Sequence, residues 1–339
     1  MKKVILNILK YLAFLLLGLF LFWLSFRKLD LHEVWQEILN ANYFWVGLSA
    51  IFAIISHVFR SLRWNLLINC MGYKTRLSTT FYALMVGYMA NTAVPRMGEF
   101  MRCGVLSRKE KIPFNALFGT VISERLFDLI VLMLLLLIVV FTQWSLLGDF
   151  VVRMTKPFAD LVMSNILLLG LLTFVVVILL VGAIVVYIRF RHKINTLPGY
   201  HRFHDLIAGL TQGIRTIDRM KQKGLFLMYT FVIWFFYVLM IWAPFFMLPE
   251  TSDLDFMAGI TVLAIGSLGI VAPVPGGVGA YHFIGKAVLV ELYAISGNAA
   301  GSFVAITHAA QTLLNVLVGA FGYLMLFFID HKPPKNEKS

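Results

Sequence analysis

Charge is scarce in this chain, and several kinds of chemistry go with it. Only 14% of the 339 residues are charged, and Asp and Glu together number 17. Cysteine is limited to Cys70 and Cys103, whose separation fits neither a metal-ligand spacing nor a disulfide framework. There is no G-x-S-x-G, no P-loop, no H-E-x-x-H and no C-x-x-C, so the motifs of common soluble hydrolases, nucleotide binders and thiol enzymes are missing. Asp253-Leu254-Asp255 has an acidic spacing that some glycosyltransferases use for metal, but it sits in a short loop with no catalytic domain attached. These absences predict no catalytic residue, no metal site and no cofactor. No small-residue cleavage site follows the first apolar run either, which predicts an uncleaved anchor rather than a removed signal peptide.

What is present is hydrocarbon. Hydrophobic residues make up 60% of the chain and the mean hydropathy is +0.84. Soluble domains are only about 45–50% apolar, so the composition predicts an all-α polytopic membrane protein. Apolar runs near the ~20 residues that cross a bilayer fall at 8–26, 43–62, 114–143, 166–189, 225–248 and 300–329. Two further apolar regions, 78–110 and 256–295, are interrupted, the first by Pro95 and Gly98, the second by Pro273, Pro275, Gly276, Gly277 and Gly279.

The net charge of +12 does not point to nucleic acid, because the basic residues lie between apolar runs rather than in one patch. They read as topology signals and as contacts to anionic lipid headgroups. With both termini in the cytoplasm and both broken regions entering and leaving on one side, most of the 29 Lys and Arg become cytoplasmic, leaving Arg27, Lys28, Arg153, Lys156 and the acidic stretch 249–255 outside. The expected fold is therefore six full spans and two re-entrant broken-helix hairpins in an inverted-topology repeat. Residues 1–150 form the first repeat (spans 8–26 and 43–62, hairpin 78–110, span 114–143). Residues 151–330 form the second: span 166–189, a cytoplasmic amphipathic segment 190–224, span 225–248, hairpin 256–295 and span 300–329. Residues 331–339 are a cytoplasmic tail. Later elements repeat earlier ones at an offset of about 180 residues, matching Pro95 with Pro275 and Asp128 with His308.

Ionisable groups inside such spans cost roughly 2.5–3.5 kcal/mol each on insertion scales, so they mark function or buried pairing. Arg96 and Glu99 flank the first break; Glu124, Arg125 and Asp128 follow on span 114–143, with Glu124 and Asp128 on one helix face. Three roles fit the acidic set: pairs of the Arg96–Glu124 and Arg125–Glu99 kind that lock the hairpin to the span, a proton carried during transport, or direct headgroup contact. Irregular backbone at membrane depth survives where it is buried or lines a cavity, so both tips are expected to face inward and meet. At the second tip, Gly276, Gly277 and Gly279 precede a half-helix starting near Ala280, and their amides with Arg96 and Arg125 would suit a phosphate. His282 and Lys286 follow that tip; Lys286 reads as reaching outward. His308, Gln311 and Asn315 share a face of the last span, and His57 reads as an interhelical hydrogen-bonding residue. Arg60-Ser61-Leu62-Arg63-Trp64 reads as an interfacial anchor at the cytoplasmic end of span 43–62.

Four motifs in order resemble one family. Arg60-x-x-Arg63-Trp64, Asn91 through Pro95-Arg96-x-Gly98-Glu99-x-x-Arg102, Glu124-Arg125-x-x-Asp128 and Pro273-x-Pro275-Gly276-Gly277-x-Gly279 look like the signature series of the lysylphosphatidylglycerol synthase transmembrane region, also called the flippase-like family. The resemblance covers about residues 10–329. It implies a multi-pass protein of the cell (inner) membrane that moves an anionic phospholipid or a polyprenyl-phosphate-linked headgroup between leaflets. Larger relatives carry a cytosolic aminoacyltransferase domain after this region, so the chain is expected not to be an enzyme by itself. Members often have an acidic residue after the Pro-Gly-Gly tip; here Tyr281-His282 stands there, which makes His282 the substitute. Its expected partners are membrane lipids, with a second copy or a lipid synthase as protein partners. The alternatives are a non-transporting lipid-binding partner of a synthase and an intramembrane lipid transferase.

Overall fold

The computed structural model describes residues 15–144, 148, 220–270 and 274–328. Among these, every regular element is helical. In chain order they are α1 (Leu15–Phe26), α2 (Leu31–Asn40), α3 (Tyr43–Cys70), α4 (Leu77–Ala93), α5 (Met97–Glu110), α6 (Phe114–Thr142), α7 (Lys223–Trp242), α8 (Phe256–Ile270), α9 (Ala280–Tyr293) and α10 (Gly297–Phe328). Among the described residues, four helices are long and apolar enough to cross a membrane: α3, α6, α7 with the 3₁₀ turn that extends it to Met247, and α10. Residues 143–215 belong to a separate unit. The expected span 166–189 and nearly all of the segment 190–224 lie outside the described residues, as do 8–14, Pro273 and the tail 331–339.

The apolar faces point outward. Phe141, Phe231, Phe321 and Phe328 are all exposed, an arrangement that suits hydrocarbon surroundings and no aqueous one. Inside, large apolar side chains such as Trp64, Phe226 and Phe303 are buried together with polar ones such as Ser56, Thr79 and Glu124, and glycines mark the closest backbone approaches. Trp64, Ile68, Ala83, Cys103, Leu106, Leu117 and Val121 join α3, α4, α5 and α6 in one buried cluster.

Both interrupted regions form helical hairpins. Val94, Pro95 and Arg96 turn α4 into α5; Arg96 takes a left-handed φ of 61° as the residue before α5. The Asn91 side chain closes this turn by accepting a hydrogen bond from the Gly98 amide at 2.6 Å. Proline lacks the N–H that would donate to the Asn91 carbonyl and continue α4, and the Asn91 side chain instead satisfies one of the open amides in the first turn of α5. A methyl group on Gly87 would sit 2.8 Å from the Gly98 carbonyl oxygen, so the two helices touch backbone to backbone. In the second hairpin, Gly269 packs against the Ala280 carbonyl, and Gly276 and Gly277 take φ of 60° and 76°, which only glycine adopts without strain.

The two tips meet. Gly276 packs on Thr92 of α4, one turn from the first tip, and His308 of α10 holds the Gly276 carbonyl at 2.9 Å. The span expected at 43–62 differs from α3, which runs eight residues further, to Cys70. The apolar signal fades at Arg60 and Arg63, but the helix continues because both arginines are buried in the bundle rather than released to the membrane surface.

Substituting Gly87 by alanine is expected to force α4 and α5 apart at a cost of about 1–3 kcal/mol. Gly104→Ala on α5, where an added methyl meets nothing within 4 Å, is expected to be neutral. Denaturant unfolding of the two variants in detergent checks this; equal midpoints would show that the hairpin is not closely packed.

Candidate functional site

Glu124 is the centre of a buried ionic cluster. Its Oε1 accepts from Arg60 Nε at 3.1 Å and Arg60 Nη2 at 2.5 Å, and lies 3.4 Å from Arg63 Nη2. Its Oε2 lies 3.1 Å from Arg102 Nη1. One turn along α6, Asp128 accepts from Arg63 Nη2 at 2.7 Å and from Arg60 Nη2 at 3.5 Å. The fit follows from helix periodicity: Arg60, Arg63 and Trp64 share one face of α3, and Glu124 and Asp128 share one face of α6. Neither Glu124 nor Arg63 has any exposed surface.

Neutral groups complete the cluster. Arg60 Nη1 donates to Tyr237 Oη at 3.0 Å, and Arg63 Nη1 donates to Thr230 Oγ1 at 3.1 Å, both on α7. Each buried guanidinium also lies over a ring: Arg60 over Tyr88, Arg63 over Phe226 and Arg102 over Trp64, at 5.6, 5.6 and 4.7 Å. Such stacking retains attraction where water is absent. Trp64 is itself held by donating Nε1–H to Thr120 Oγ1 at 2.8 Å. The cluster thus joins α3, α4, α5, α6 and α7.

The cluster sits well inside the helices that carry it. Arg60 lies ten residues from the end of α3, Arg102 eight from the end of α5, and Glu124 ten from the start of α6. At a rise of ~1.5 Å per residue these are roughly 12–15 Å from the helix ends.

A rim pair extends the cluster towards the surface. Arg125 Nη2 lies 3.3 Å from Glu99 Oε1 and Arg125 Nη1 lies 3.9 Å from Asp128 Oδ2. The Arg125 side chain is 42% exposed. Of the pairings expected from sequence, Arg125–Glu99 is present, whereas Glu124 pairs with Arg60, Arg63 and Arg102 instead of Arg96. Arg96 itself is exposed at the turn before α5.

The glycine tip departs from the expected anion cradle. The Gly277 amide donates to the Val274 carbonyl at 3.2 Å, the Val278 amide to the Pro275 carbonyl at 3.1 Å, and the Gly279 amide faces His282 Nδ1 at 3.4 Å. Three of the tip amides are thereby spent on the turn itself. Gly279 serves packing: an added methyl would run into the Gly18 carbonyl of α1. His282 is buried, with its ring 5.0 Å from Phe22 and 4.7 Å from His308, whose ring in turn stacks on Tyr281 at 5.5 Å. His282 and His308 therefore belong to the second tip, apart from the arginine cluster in their described contacts. Lys286 does not reach outward; its Nζ donates to the Ser25 carbonyl at the end of α1, at 2.6 Å. His57 has no hydrogen-bond partner at Nε2 among the described residues and lies 4.6 Å from the Tyr88 ring.

Arg60 and Arg63, expected as interfacial anchors, are the main addition to the site. The i, i+3 spacing of two arginines facing an i, i+4 pair of acids was the available signal.

The chain matches the family model described as lysylphosphatidylglycerol synthase TM region over residues 10–319. It is similar to the UPF0104 membrane protein MJ1595 of Methanocaldococcus jannaschii, with 31% identity over 166 residues. That match covers 48% of this chain and 47% of the relative, so the chain spans about half the length of the curated relative it matches. No solved structure matches.

Glu124→Gln removes the acid that faces three buried arginines. Breaking a buried pair on one side costs about 3–5 kcal/mol, so this variant is expected to be the least stable single substitution in the cluster. Asp128→Asn, partly exposed, is expected to cost about 1–3 kcal/mol, and Arg102→Gln added to Glu124→Gln should restore part of the loss. Unfolding midpoints in detergent decide it; a Glu124→Gln protein as stable as the parent would remove Glu124 from the centre.

Proposed function

The chain belongs to the lysylphosphatidylglycerol synthase transmembrane-region family and is a membrane protein; from that premise we propose that it moves a lipid with an anionic, phosphate-containing headgroup between leaflets. The observation that carries the reading is a charge imbalance. Arg60, Arg63 and Arg102 are buried against Glu124 and Asp128. Arg102 Nε and Nη2 and Arg63 Nε have no hydrogen-bond partner among the described residues. A surplus guanidinium at membrane depth is costly unless an anion is delivered to it, and a phosphate monoester or diester matches its forked donors.

The headgroup would meet the half-exposed Arg125 first, with Glu99 displaced from it, and would find Arg102 behind; Arg96 at the exposed turn adds positive potential on the same hairpin. Acyl or polyprenyl tails would remain in the bilayer beside the apolar outer faces. The two hairpins act as re-entrant elements of an inverted repeat, and rocking of one repeat against the other gives alternating access. His308 and the Gly276 carbonyl form the latch between the second tip and α10 in this state. Both termini are assigned to the cytoplasm, and the protein is assigned to the inner membrane.

Reconstitution with a fluorescent phosphatidylglycerol tests the reading. Vesicles holding the protein are expected to expose inner-leaflet probe to an impermeant quencher faster than empty vesicles. Arg125→Gln, which removes a charged contact of about 1.5–3 kcal/mol, is expected to slow this by about tenfold or more with an unchanged unfolding midpoint. Equal rates with and without protein would overturn transport. Mass spectrometry of retained lipid then separates the two remaining outcomes: bound anionic lipid without movement indicates a binding partner of a synthase, and a chemically altered lipid indicates a transferase.

A further inference from the structure

A row of large apolar side chains on α2 has no covering neighbour among the described residues. Leu31, Trp35 and Leu39 recur at i, i+4 and i+8 and are 65%, 56% and 57% exposed. At ~100° per residue they sweep an arc of about 80° on one side of the helix. The inner side is accounted for: Val34 is buried, and at its edge Glu37 accepts a hydrogen bond from Ser302 of α10 at 2.5 Å. A third side carries Glu33, Gln36, Glu37 and Asn40, which with Glu250 line an open cavity of about 330 Å³. α2 therefore has an anchored side, an acidic wet side and an apolar side.

We propose that α2 lies along the membrane interface, with Leu31, Trp35 and Leu39 seated at the boundary between headgroups and acyl chains. The placement follows from chain continuity. α2 is joined to α1 through Arg27–Asp30 and to α3 through Ala41 and Asn42. The facing end of α1 exposes Leu19, Phe20 and Trp23, and the start of α3 exposes Tyr43, Phe44 and Ile51. The row on α2 thus continues the lipid-facing belt of two neighbouring helices at the level where both leave the hydrocarbon. Trp23, Trp35 and Tyr43 supply the amphipathic rings enriched at that level, and Arg27 lies 5.2 Å over the Trp23 ring with its charge free to face headgroup phosphates.

The acidic side fixes which way the helix rolls. Three carboxylates over an anionic headgroup layer would be repelled, so Glu33, Glu37 and Glu250 face water while the opposite arc faces lipid. Basic amphipathic helices bind membranes partly through charge. α2 needs no such attraction, because two membrane helices and its own caps hold it in place. Asp30 Oδ1 accepts from the His32 and Glu33 amides at 2.9 and 3.3 Å, and Asn298 Oδ1 accepts from the Asp30 amide at 3.2 Å, which ties the start of α2 to α10. The proposal is independent of which lipid the protein handles and of whether it transports one.

The test uses the full chain in vesicles of phosphatidylethanolamine and phosphatidylglycerol. Cys70 is replaced by serine, and Cys103 stays because it is buried. Single cysteines at 31, 35, 36, 39 and 40 carry a nitroxide, and collisions are compared for oxygen, which concentrates in lipid, and for a water-soluble nickel chelate. The expected result is a several-fold higher oxygen-to-nickel ratio at 31, 35 and 39 than at 36 and 40. Equal, chelate-dominated accessibility at all five positions would place the row in water and overturn the proposal. Protection of 31, 35 and 39 from both reagents, as under a second protein, would also overturn it. Unchanged unfolding midpoints for the labelled variants exclude misfolding as the cause of either pattern.

Discussion

A carboxylate shared among three guanidinium groups, at Glu124, is the constraint on which the described bundle depends. α3, α5 and α6 each place a charged side chain roughly 12–15 Å from their ends, and none of those charges has access to water. Desolvation of this kind is seldom repaid in stability relative to an apolar core of the same volume. Its effect is selective: a register shift of α5 against α6 would separate Arg102 from Glu124 and leave the buried Arg102 guanidinium without its counter-charge, while Glu124 kept Arg60 and Arg63. Alternative packings of these helices are thereby excluded more strongly than this packing is stabilised. The rings of Tyr88, Phe226 and Trp64 lower the cost by covering guanidinium faces that hydrogen bonds do not reach.

Close packing supplies what charge does not. In lipid, apolar surface gains little by leaving hydrocarbon for protein, so helices associate where their backbones can approach. Gly87 meets Gly98 in the first hairpin, Gly269 meets Ala280 in the second, and Gly319 and Gly322 let α10 lie against Met85, Met89 and Tyr82 of α4. These contacts position the first hairpin so that Glu99 and Arg102 reach α6 from one side while Arg60 and Arg63 reach it from the other. The ionic cluster and the glycine contacts are therefore two expressions of one arrangement.

Much of this was legible in the sequence, and the exceptions have physical causes. Proline and glycine at 95, 98, 275, 276, 277 and 279 interrupt apolar runs, so both hairpins could be placed to within a few residues. Glu124 and Asp128 stood out because two acids one turn apart in an apolar run are costly in lipid unless they are buried against cations. Arg60 and Arg63 did not, because hydropathy cannot tell an arginine at a helix end from one neutralised inside a bundle. The same blindness ended span 43–62 eight residues before α3 ends. Gly276–Gly279 misled in another way: glycine marks close approach of any kind, and here the approaching partners are the turn's own carbonyls, Thr92 of α4, His308 of α10 and the backbone of α1.

The distribution of polar ties also ranks the motions open to this bundle. Moving α5 relative to α6 must separate Arg102 from Glu124 and Glu99 from Arg125, with at least one of those separations in a water-free setting. The second hairpin is held differently: among the described residues its tip is fixed by a hydrogen bond from His308 to Gly276, packing of Gly276 on Thr92, ring contacts among Tyr281, His282, His308 and Phe22, and steric fit of Gly279 on α1, and further along α9 Lys286 donates to the Ser25 carbonyl. The tip contacts are neutral and short-ranged, so each is lost within an ångström or two, and the Lys286 ammonium is only half-buried. Electrostatics thus favours the first hairpin as the fixed wall and the second as the element that yields. An entering anion would reinforce that asymmetry, since it adds counter-charge to the arginine side alone.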